Sequence, residues 1–280
     1  MEFADFAESH GLIIRSLVAD GRPHRVPTVD HPRKRNGAYL YDGHSGWVQN
    51  WAIHESAIAF RSGRDAMRPV EVPKRDVAAE RRRDAARRAS AARQAAEILA
   101  RCEAGAHPYL AGKGFPDERG MIDQDGRLVV PMRDAQDYAR VNSIQWINDQ
   151  GEKKFLPGGA AKGSVFVIGE GSGARVEHWF VEGYATGLSV RAALRSMYRA
   201  ARVVVCFSAG NLQHVANFYR GRRYVVADND ASGTGARVAA ATGLPWGMPP
   251  TVGDDANDMH QRSGLRSVSA LLRDIMGGVS

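Results

Sequence analysis

The feature that most constrains the fold is a series of short apolar runs in the second half of the chain, each followed by a helical pattern. The runs are SVFVI, EHWFV, RVVVCF and RYVVA. Helical patterns separate or follow them, over roughly Thr186–Arg199, from about Asn211, and over about Gly233–Thr242. Continuous apolar strands that alternate with helices are typical of a parallel sheet covered on both faces. The sequence therefore predicts an α/β domain over residues 166–280.

The rest of the chain divides into segments of different character. Residues 1–63 indicate a short opening helix and then aromatic strands, with a hairpin signal at Asp20–Gly21. Residues 64–105 are rich in Ala, Arg and Glu and predict a long helix. From His107 onward, HPYLAGKGF, GRLVVPMRD, VNSIQWIND and KKFLPGG indicate strands again. We expect a small β-rich domain, a helical linker, and a β-rich segment that leads into the α/β domain.

The charge balance suggests a polyanionic partner. The chain has 38 Lys and Arg residues against 31 Asp and Glu residues, a formal net charge of +7, and such an excess favours binding to nucleic acid. The start MEFADFAESHG lacks the basic and apolar regions of a signal peptide, and no apolar run is long enough to span a membrane. We therefore expect a cytoplasmic protein without a membrane partner. No cysteine lies near the histidines of the first domain, so no structural zinc is expected.

Acidic residues follow the predicted strands at the positions where an α/β sheet binds ligands. They are Glu182, Asp228 and Asp230, and then Asp254, Asp255 and Asp258. Carboxylates so close together cannot all stay ionised without a cation, and oxygen ligands of this kind suit Mg²⁺ or Mn²⁺. Each of them alone could also be a turn or capping residue; Asp230, just before ASGTG, could cap the next helix.

The ordered motifs VEGYATGLS, FSAGNL, VVADNDASGTGA and DDANDMHQ resemble the Toprim domain of topoisomerases and primases. Upstream, HPYLAGKGF, LVVPMRD and SIQWINDQGEKKFLPGG resemble the catalytic half of bacterial-type primases, particularly those of plasmids and phages. GRPHRVPT, NGAYLY and GWVQNW resemble the leading segment of the same proteins. The resemblance implies a Toprim-like parallel sheet flanked by helices, preceded by a small β-rich domain and a long Arg/Ala-rich helix. It also implies the domain order: a zinc-free template-binding domain (1–63), a helical linker (64–105), the N-terminal part of the primase core (106–165) and the Toprim catalytic domain (166–280).

The resemblance implies roles for the acidic residues. Glu182 matches the family's glutamate, a metal ligand or acid–base group, and Asp228 and Asp230 match its metal-binding Asp-x-Asp pair. Asp255 and Asp258 lie in the third acidic motif, and which of Asp254, Asp255 and Asp258 binds metal stays open. Replicative primases have a further acidic residue four positions after the glutamate. Here that position is Thr186. The plasmid-type relatives also have a neutral residue there, which implies fewer metal ligands rather than inactivity.

Cationic and aromatic residues are the candidates for binding nucleotides and template. By family position these are Lys113, Arg133, Lys153 and Lys154 in the core, each of which could equally be a surface cation. In the first domain, phosphate-seeking charge and rings for base stacking are combined in Arg33, Lys34, Arg35, Tyr39 and Trp47. The alternative for this second group is an aromatic core with a solvated basic loop.

The resemblance implies a DNA primase, which synthesises short RNA primers de novo on single-stranded DNA by metal-dependent nucleotidyl transfer, in plasmid or phage replication inside a bacterial cell. Ribonucleoside triphosphates, a DNA template and Mg²⁺ or Mn²⁺ would be its partners. GGAAKGS lacks the spacing of a phosphate-binding loop, so we expect a separate helicase or replication initiator. The alternatives are a Toprim-type metal-dependent nuclease and a non-catalytic replication-initiation binding protein.

Overall fold

The computed structural model describes residues 2–61, 77–169 and 176–278. The chain divides into two compact units, Met1–Ala78 and Ala79–Ser280. The boundary predicted between residues 63 and 64 lies outside the described residues, as do the first residues of the predicted helical linker.

The first unit is a small antiparallel sheet covered by a helix. Its elements are α1 (Phe3–Ser9), β1 (His24–Val26), β2 (Gly37–Tyr41), β3 (Ser45–Asn50) and β4 (Ile58–Arg61), and the strands pair in chain order. Phe3 packs at the centre of the aromatic core, stacked on Tyr41 at 4.3 Å and edge-on to Phe60 at 5.2 Å between ring centroids. This close approach requires glycine at position 46, because a Cβ there would collide with the Leu40 carbonyl oxygen and lie 2.9 Å from the Phe3 ring.

The hairpin predicted at Asp20–Gly21 is wrong. The segment before β1 contributes a single bridge, between Leu12 and Thr28, and β1 pairs with β2 instead. The Asp20 carboxylate accepts hydrogen bonds from the Arg22 backbone N–H at 2.9 Å and from the His24 ring at 2.8 Å. These local bonds close a turn around Asp20, and the Gly21 N–H donates to the Tyr41 carbonyl at 2.9 Å rather than to the preceding segment.

The second unit begins with a long helix and a β-rich segment. These elements are α2 (Val77–Ala100), β5 (Glu103–Gly105), α3 (Pro108–Gly112), β6 (Gly120–Ile122), β7 (Leu128–Asp134), β8 (Val141–Ile147), β9 (Lys153–Phe155) and β10 (Ser164–Ile168). Along α2, Ala91 and Ala95 are buried in a cluster with Val129 and Ile144, while most of the arginines are exposed. An alanine stripe lets this helix lie close to the sheet, and its charged faces remain in water.

The chain then alternates strands and helices. These are β11 (Glu177–Val181), α4 (Tyr184–Ser196), β12 (Ala201–Val205), α5 (Ala209–Ala216), β13 (Arg223–Val226), α6 (Thr234–Ala241), β14 (Trp246–Gly247), α7 (Ala256–Ser263) and α8 (Leu265–Gly277). Among the described residues one sheet runs in the order β14-β13-β11-β12-β10-β7-β6-β5, with β8 and β9 joined to β7. In the part of the sheet with the order β14-β13-β11-β12, neighbouring strands are parallel. Strand β10 pairs antiparallel with β12 and β7.

Helices cover both faces of the parallel part, as the apolar strands predict. Trp179 and Val181 of β11 lie in one buried cluster with residues of α4, α7 and α8, whereas Phe180 lies in a second cluster with residues of α5 and α6. Alternate residues of a strand face opposite sides, so the sheet lies between two layers of helices. The expected α/β class is confirmed, with the addition that the sheet continues into antiparallel strands.

One predicted strand is a helix. HPYLAGKGF contains α3, which begins after His107, whose ring accepts a hydrogen bond from the Tyr109 N–H at 3.1 Å. Proline at the first helical position and this cap favour a short helix over the strand that the apolar residues suggested. Within the described ranges, no helix has the length and apolar character needed to cross a bilayer.

Candidate active site

Acidic residues meet at the carboxyl edge of the parallel sheet. Glu182 directly follows β11, and Asp228 lies just beyond β13, which is parallel to β11 and adjacent to it. Asn229 connects this edge to the next loop, because its N–H donates to the Asp254 carbonyl at 2.9 Å and its side chain donates to the Pro249 carbonyl at the same distance. The strand order therefore brings the three acidic motifs together.

The Asp228 carboxyl is the most strongly perturbed acid of the site. Burial raises its pKa to about 7, with further increases from the charges of Glu182, Asp255 and Asp230, against an opposing effect of Lys153. Its Oδ1 atom is buried without a hydrogen-bond partner. A buried carboxylate oxygen without a donor is costly, so this atom is a place for a cation or a proton.

Glu182 has a related environment. Burial raises the pKa of its carboxyl and the charge of Asp230 raises it further, while a hydrogen bond from the Ala209 backbone acts in the opposite direction. The backbone of Glu182 is fixed as well, since its carbonyl accepts from the Phe207 N–H at 2.8 Å. Glu182 is thus held between the end of β11 and the start of α5.

Asp230 is held differently from Asp228. Its Oδ1 accepts from the Ser232 N–H at 2.9 Å and its Oδ2 from the Gly235 N–H at 2.7 Å, next to the first turn of α6. Hydrogen bonds from Ser232 and Gly235 lower the pKa of Asp230 to about 2. Asp230 therefore accepts a hydrogen bond from the first turn of α6, although the N-cap residue of that helix is Gly233. The Asp-x-Asp pair consists of one buried acid and one hydrogen-bonded carboxylate.

The third acidic motif separates into three roles. Asp254 is buried and accepts two hydrogen bonds from Arg262, at 2.5 and 2.7 Å. Asp255 caps α7 through Oδ1, and its Oδ2 accepts from Thr186 Oγ1 at 3.0 Å. Asp258 completes the capping box by accepting from the Asp255 N–H at 3.1 Å. The charge of Asp255 acts on Asp228, and Thr186, which stands where replicative primases have an acid, orients the Asp255 carboxylate.

A divalent cation fits these residues. In the described part of the chain, no three His, Cys, Asp or Glu side chains already converge as a complete ligand set. Mg²⁺ commonly uses only one or two carboxylates and takes its other ligands from water and substrate phosphates. The unpartnered Oδ1 of Asp228, in the field of Glu182 and Asp255, supplies the oxygen chemistry that this ion prefers.

Two of the predicted lysines lie beside the acids. Lys113 Nζ is 3.8 Å from Asp258 Oδ1, and Lys153 Nζ would lie 3.9 Å from a Cβ at Gly183, next to Glu182. Lys113 and Lys153 line the same cavity of about 370 Å³, together with Tyr109 and Gln261. The structure thus joins α3, β9 and α7 around a cavity next to the carboxylates, and its lining holds these two lysines and one acid, Asp149.

The remaining predicted core cations have other surroundings. Lys154 follows Lys153 in β9, pairs in register with Trp146, and is exposed; alternation along the strand directs it to the opposite face. The guanidinium of Arg133 donates to the carbonyls of Tyr138 and Ala139, both at 3.3 Å. These contacts connect Arg133 to the loop after β7.

The predicted template-binding group of the first unit is divided. Arg33, Lys34 and Arg35 are exposed in the connection between β1 and β2. Tyr39 is 1% exposed, lies in the core, and accepts a hydrogen bond from the Val18 N–H at 3.0 Å; the stacking role predicted for it is corrected to a core role, because a buried ring has no free face. Trp47 is half-buried on the opposite face of the sheet, with its Nε1 atom buried and unpartnered.

Two phenylalanines near the acidic edge of the sheet were not predicted as site residues. Phe155 of β9 is 45% exposed, and its ring centroid is 6.3 Å from that of Phe207, in an edge-on arrangement. Phe207 follows β12 with φ +66°, a conformation that non-glycine residues rarely adopt. The apolar sequence around Phe207 gave no sign of this strained backbone, which is visible only in the structure. Strained backbone of this kind is typical of functional sites.

Comparison with known proteins confirms the Toprim resemblance of the second half of the chain. Residues 178–265 match the Toprim domain family. One similar structure is bacteriophage T7 lagging-strand DNA polymerase interacting with primase domains of two gp4 subunits bound to an RNA/DNA hybrid and dTTP. The match has 13% identity and a TM-score of 0.42, and covers 62% of this chain and 91% of the other. A second is the DnaG catalytic core, with 14% identity and a TM-score of 0.36, covering 53% of this chain and 52% of the other.

The matched segment begins in β11 and ends at the start of α8. It includes Glu182, Asp228, Asp230 and the third acidic motif, and thus every carboxylate described above. Residues 178–265 are thus similar to a Toprim domain.

Proposed function

We propose that this protein is a DNA primase that makes short RNA primers de novo on single-stranded DNA. The observation that carries the proposal is the buried, unpartnered oxygen of Asp228 among the charges of Glu182 and Asp255, beside a cavity lined by Lys113 and Lys153. An acidic edge for a cation and a lysine-lined cavity for a triphosphate are the two requirements of nucleotidyl transfer.

The reaction joins two ribonucleoside triphosphates. The 3′-oxygen of the first attacks the α-phosphorus of the second, a new P–O bond forms, and the bond to the β-phosphate oxygen breaks to release pyrophosphate. The proton of the 3′-hydroxyl passes to solvent water as the attack proceeds. Asp228 and Glu182 would hold a divalent cation, which would supply charge neutralisation and would lower the pKa of that hydroxyl.

Residues around the acids would hold the substrates. Lys113 and Lys153 are placed to neutralise triphosphate oxygens, and the exposed ring of Phe155 offers a face to a nucleobase. Because Asp255 is held by Thr186 and its charge acts on Asp228, we propose Asp255 as the member of the third motif that contributes to the cation site.

The setting of this activity belongs to the same proposal. The template is single-stranded DNA, bound in part by the exposed Arg33, Lys34 and Arg35 of the first unit. Strand separation would come from a separate helicase or initiator during plasmid or phage replication in the bacterial cytoplasm. The motif series in the sequence supports this context.

The test is product formation from ribonucleotides, Mg²⁺ and a random-sequence single-stranded template, followed by sequencing of the products. We expect primers from the wild type, none from Glu182→Gln, and wild-type yield from Asp274→Asn, an exposed acid of α8. A wild type that cuts the template and makes no primer would replace the proposal with a nuclease. A wild type silent in both assays, with normal replicon function of Glu182→Gln, would indicate a non-catalytic binding protein.

A further inference from the structure

A second cationic site lies in the second unit, in a cavity different from the one that Lys113 and Lys153 line. It is a cavity of about 550 Å³ between α2, the loop before β10 and α5, and we call it the basic groove. Its lining includes Arg87 and Arg88 of α2, Gly158 and Lys162 of the loop, and His214 of α5. The loop is the GGAAKGS sequence, which does not have the spacing of a nucleotide-motor motif.

The groove is built by specific contacts. Gly158 has φ +80°, and a Cβ there would lie 3.0 Å from Cγ of Arg87, so the loop and α2 approach closely at this point. On the other side, Asn211 of α5 accepts from the Gly163 N–H at 2.7 Å and donates to the Ser164 carbonyl at 2.7 Å. Asn211 thus fastens the loop to α5, and the three walls are held in place.

The charge of the lining has one sign. Arg87, Arg88 and Lys162 are exposed cations, and His214 adds a ring nitrogen, while the described lining residues include no Asp or Glu. The nearest counter-charge on α2 is Asp84, whose carboxylate is 3.1 Å from Arg87. Both side chains of that pair are more than half exposed, and such a pair holds its cation weakly. The groove is therefore open to a polyanion.

The groove is also connected to the acidic edge through α5. This helix begins at Ala209, whose backbone hydrogen-bonds Glu182, and His214 lies on the same helix. Five residues of α-helix span about 7.5 Å. His214, which lines the groove, thus lies about 7.5 Å along the helix axis from the residue that contacts Glu182.

We propose that the basic groove binds the phosphate backbone of single-stranded nucleic acid and guides the template strand to the acidic edge. The proposal deepens the proposed function and rests on it for the identity of the strand. Arginine, lysine and histidine side chains spaced along a groove recognise successive phosphates without reading base sequence. The long arginine-rich helix, which the primase resemblance did not cover, thereby gains a role.

The test is the salt dependence of binding to a fluorescently labelled oligo-dT, measured by anisotropy. The groove variant is Arg87→Gln/Arg88→Gln/Lys162→Gln. The matched control, Arg93→Gln/Arg266→Gln/Arg273→Gln, loses the same charge at exposed positions outside the groove. Each lost phosphate contact lowers the slope of log K against log salt by about 0.7. We therefore expect a slope smaller by about 2 and, at about 0.1 M salt, about 100-fold weaker binding for the groove variant, with much smaller changes for the control.

Equal slopes for the groove variant and its control, with both retaining the wild-type circular dichroism spectrum, would overturn the proposal. Competition by inorganic phosphate at the same phosphate concentration as the oligonucleotide would show a site for free anions instead. The outcome is separable from the primase assay. If the wild type binds through the groove but makes no primer, the groove proposal stands and the primase proposal fails. If the wild type makes primers but the slopes are equal, the primase proposal stands and the groove proposal fails.

Discussion

Replacing Asp228 by Asn should stabilise the protein in the absence of a metal ion. Its carboxyl has a pKa of about 7 in the folded state against an ordinary 3.8. Since each pH unit by which the pKa rises corresponds to about 1.4 kcal/mol, ionisation of Asp228 lowers the free energy of unfolding by up to about 4 kcal/mol. Because the folded state holds the proton more tightly, this cost grows as the pH rises from about 4 to about 7 and is constant above that. Asparagine has the same shape without the charge.

The assay is urea unfolding followed by circular dichroism, with a chelator present, at pH 5 and pH 8. We expect the advantage of Asp228→Asn over the wild type to be about 2–3 kcal/mol larger at pH 8 than at pH 5. Asp230→Asn is the matched control and should be destabilising, since it loses hydrogen bonds that lower the pKa of Asp230 to about 2. An advantage that is the same at both pH values, or a less stable Asp228→Asn at pH 8, would show that the ionised Asp228 carboxylate does not destabilise the fold.

Further predictions concern the substrate and cation sites. Lys153→Gln should raise KM for ribonucleotides about tenfold or more, as expected for a lost hydrogen bond to a charged group. Lys154→Gln, on the other face of β9, should leave KM unchanged. Equal effects of the two variants on KM would contradict the role of Lys153 in triphosphate binding. Thr186→Val leaves Asp255 Oδ2 without its donor and should raise the Mg²⁺ concentration for half-maximal activity about tenfold, with Thr186→Ser restoring it. Phe155→Ala should weaken nucleotide binding by about 1–3 kcal/mol through lost stacking, whereas Phe155→Trp should retain it; tight binding by Phe155→Ala would exclude a stacking role.

The sequence was sufficient for the parallel part of the fold and for the meeting of the acids. Apolar strands buried on both faces have a distinctive pattern, and residues that follow adjacent parallel strands must share one edge. This reasoning placed Glu182 and Asp228 correctly at the sheet edge. The α3 helix was missed because a cap and a proline decide so short a helix, and these signals are weak beside a run of apolar residues.

Features that depend on contacts between distant residues could not be predicted. The different states of Asp228 and Asp230 arise from burial and from amides of the ASGTG loop, although the two residues are equivalent in an Asp-x-Asp pattern. The aromatic spacing of β2 suggested that Tyr39 could stack on bases, yet the packing of α1 buries that face. The basic groove requires α2, the loop and α5 to be neighbours, which a charge pattern along the chain does not reveal.

The most direct test of the central claim is the mass of the smallest product made from ribonucleotides, Mg²⁺ and single-stranded DNA. We expect a dinucleotide that keeps the 5′-triphosphate of its first nucleotide, with one pyrophosphate released for each bond formed, and no such product from Glu182→Gln. A product set of 5′-monophosphate DNA fragments, or extension only from an added primer, would contradict de novo synthesis at this acidic edge.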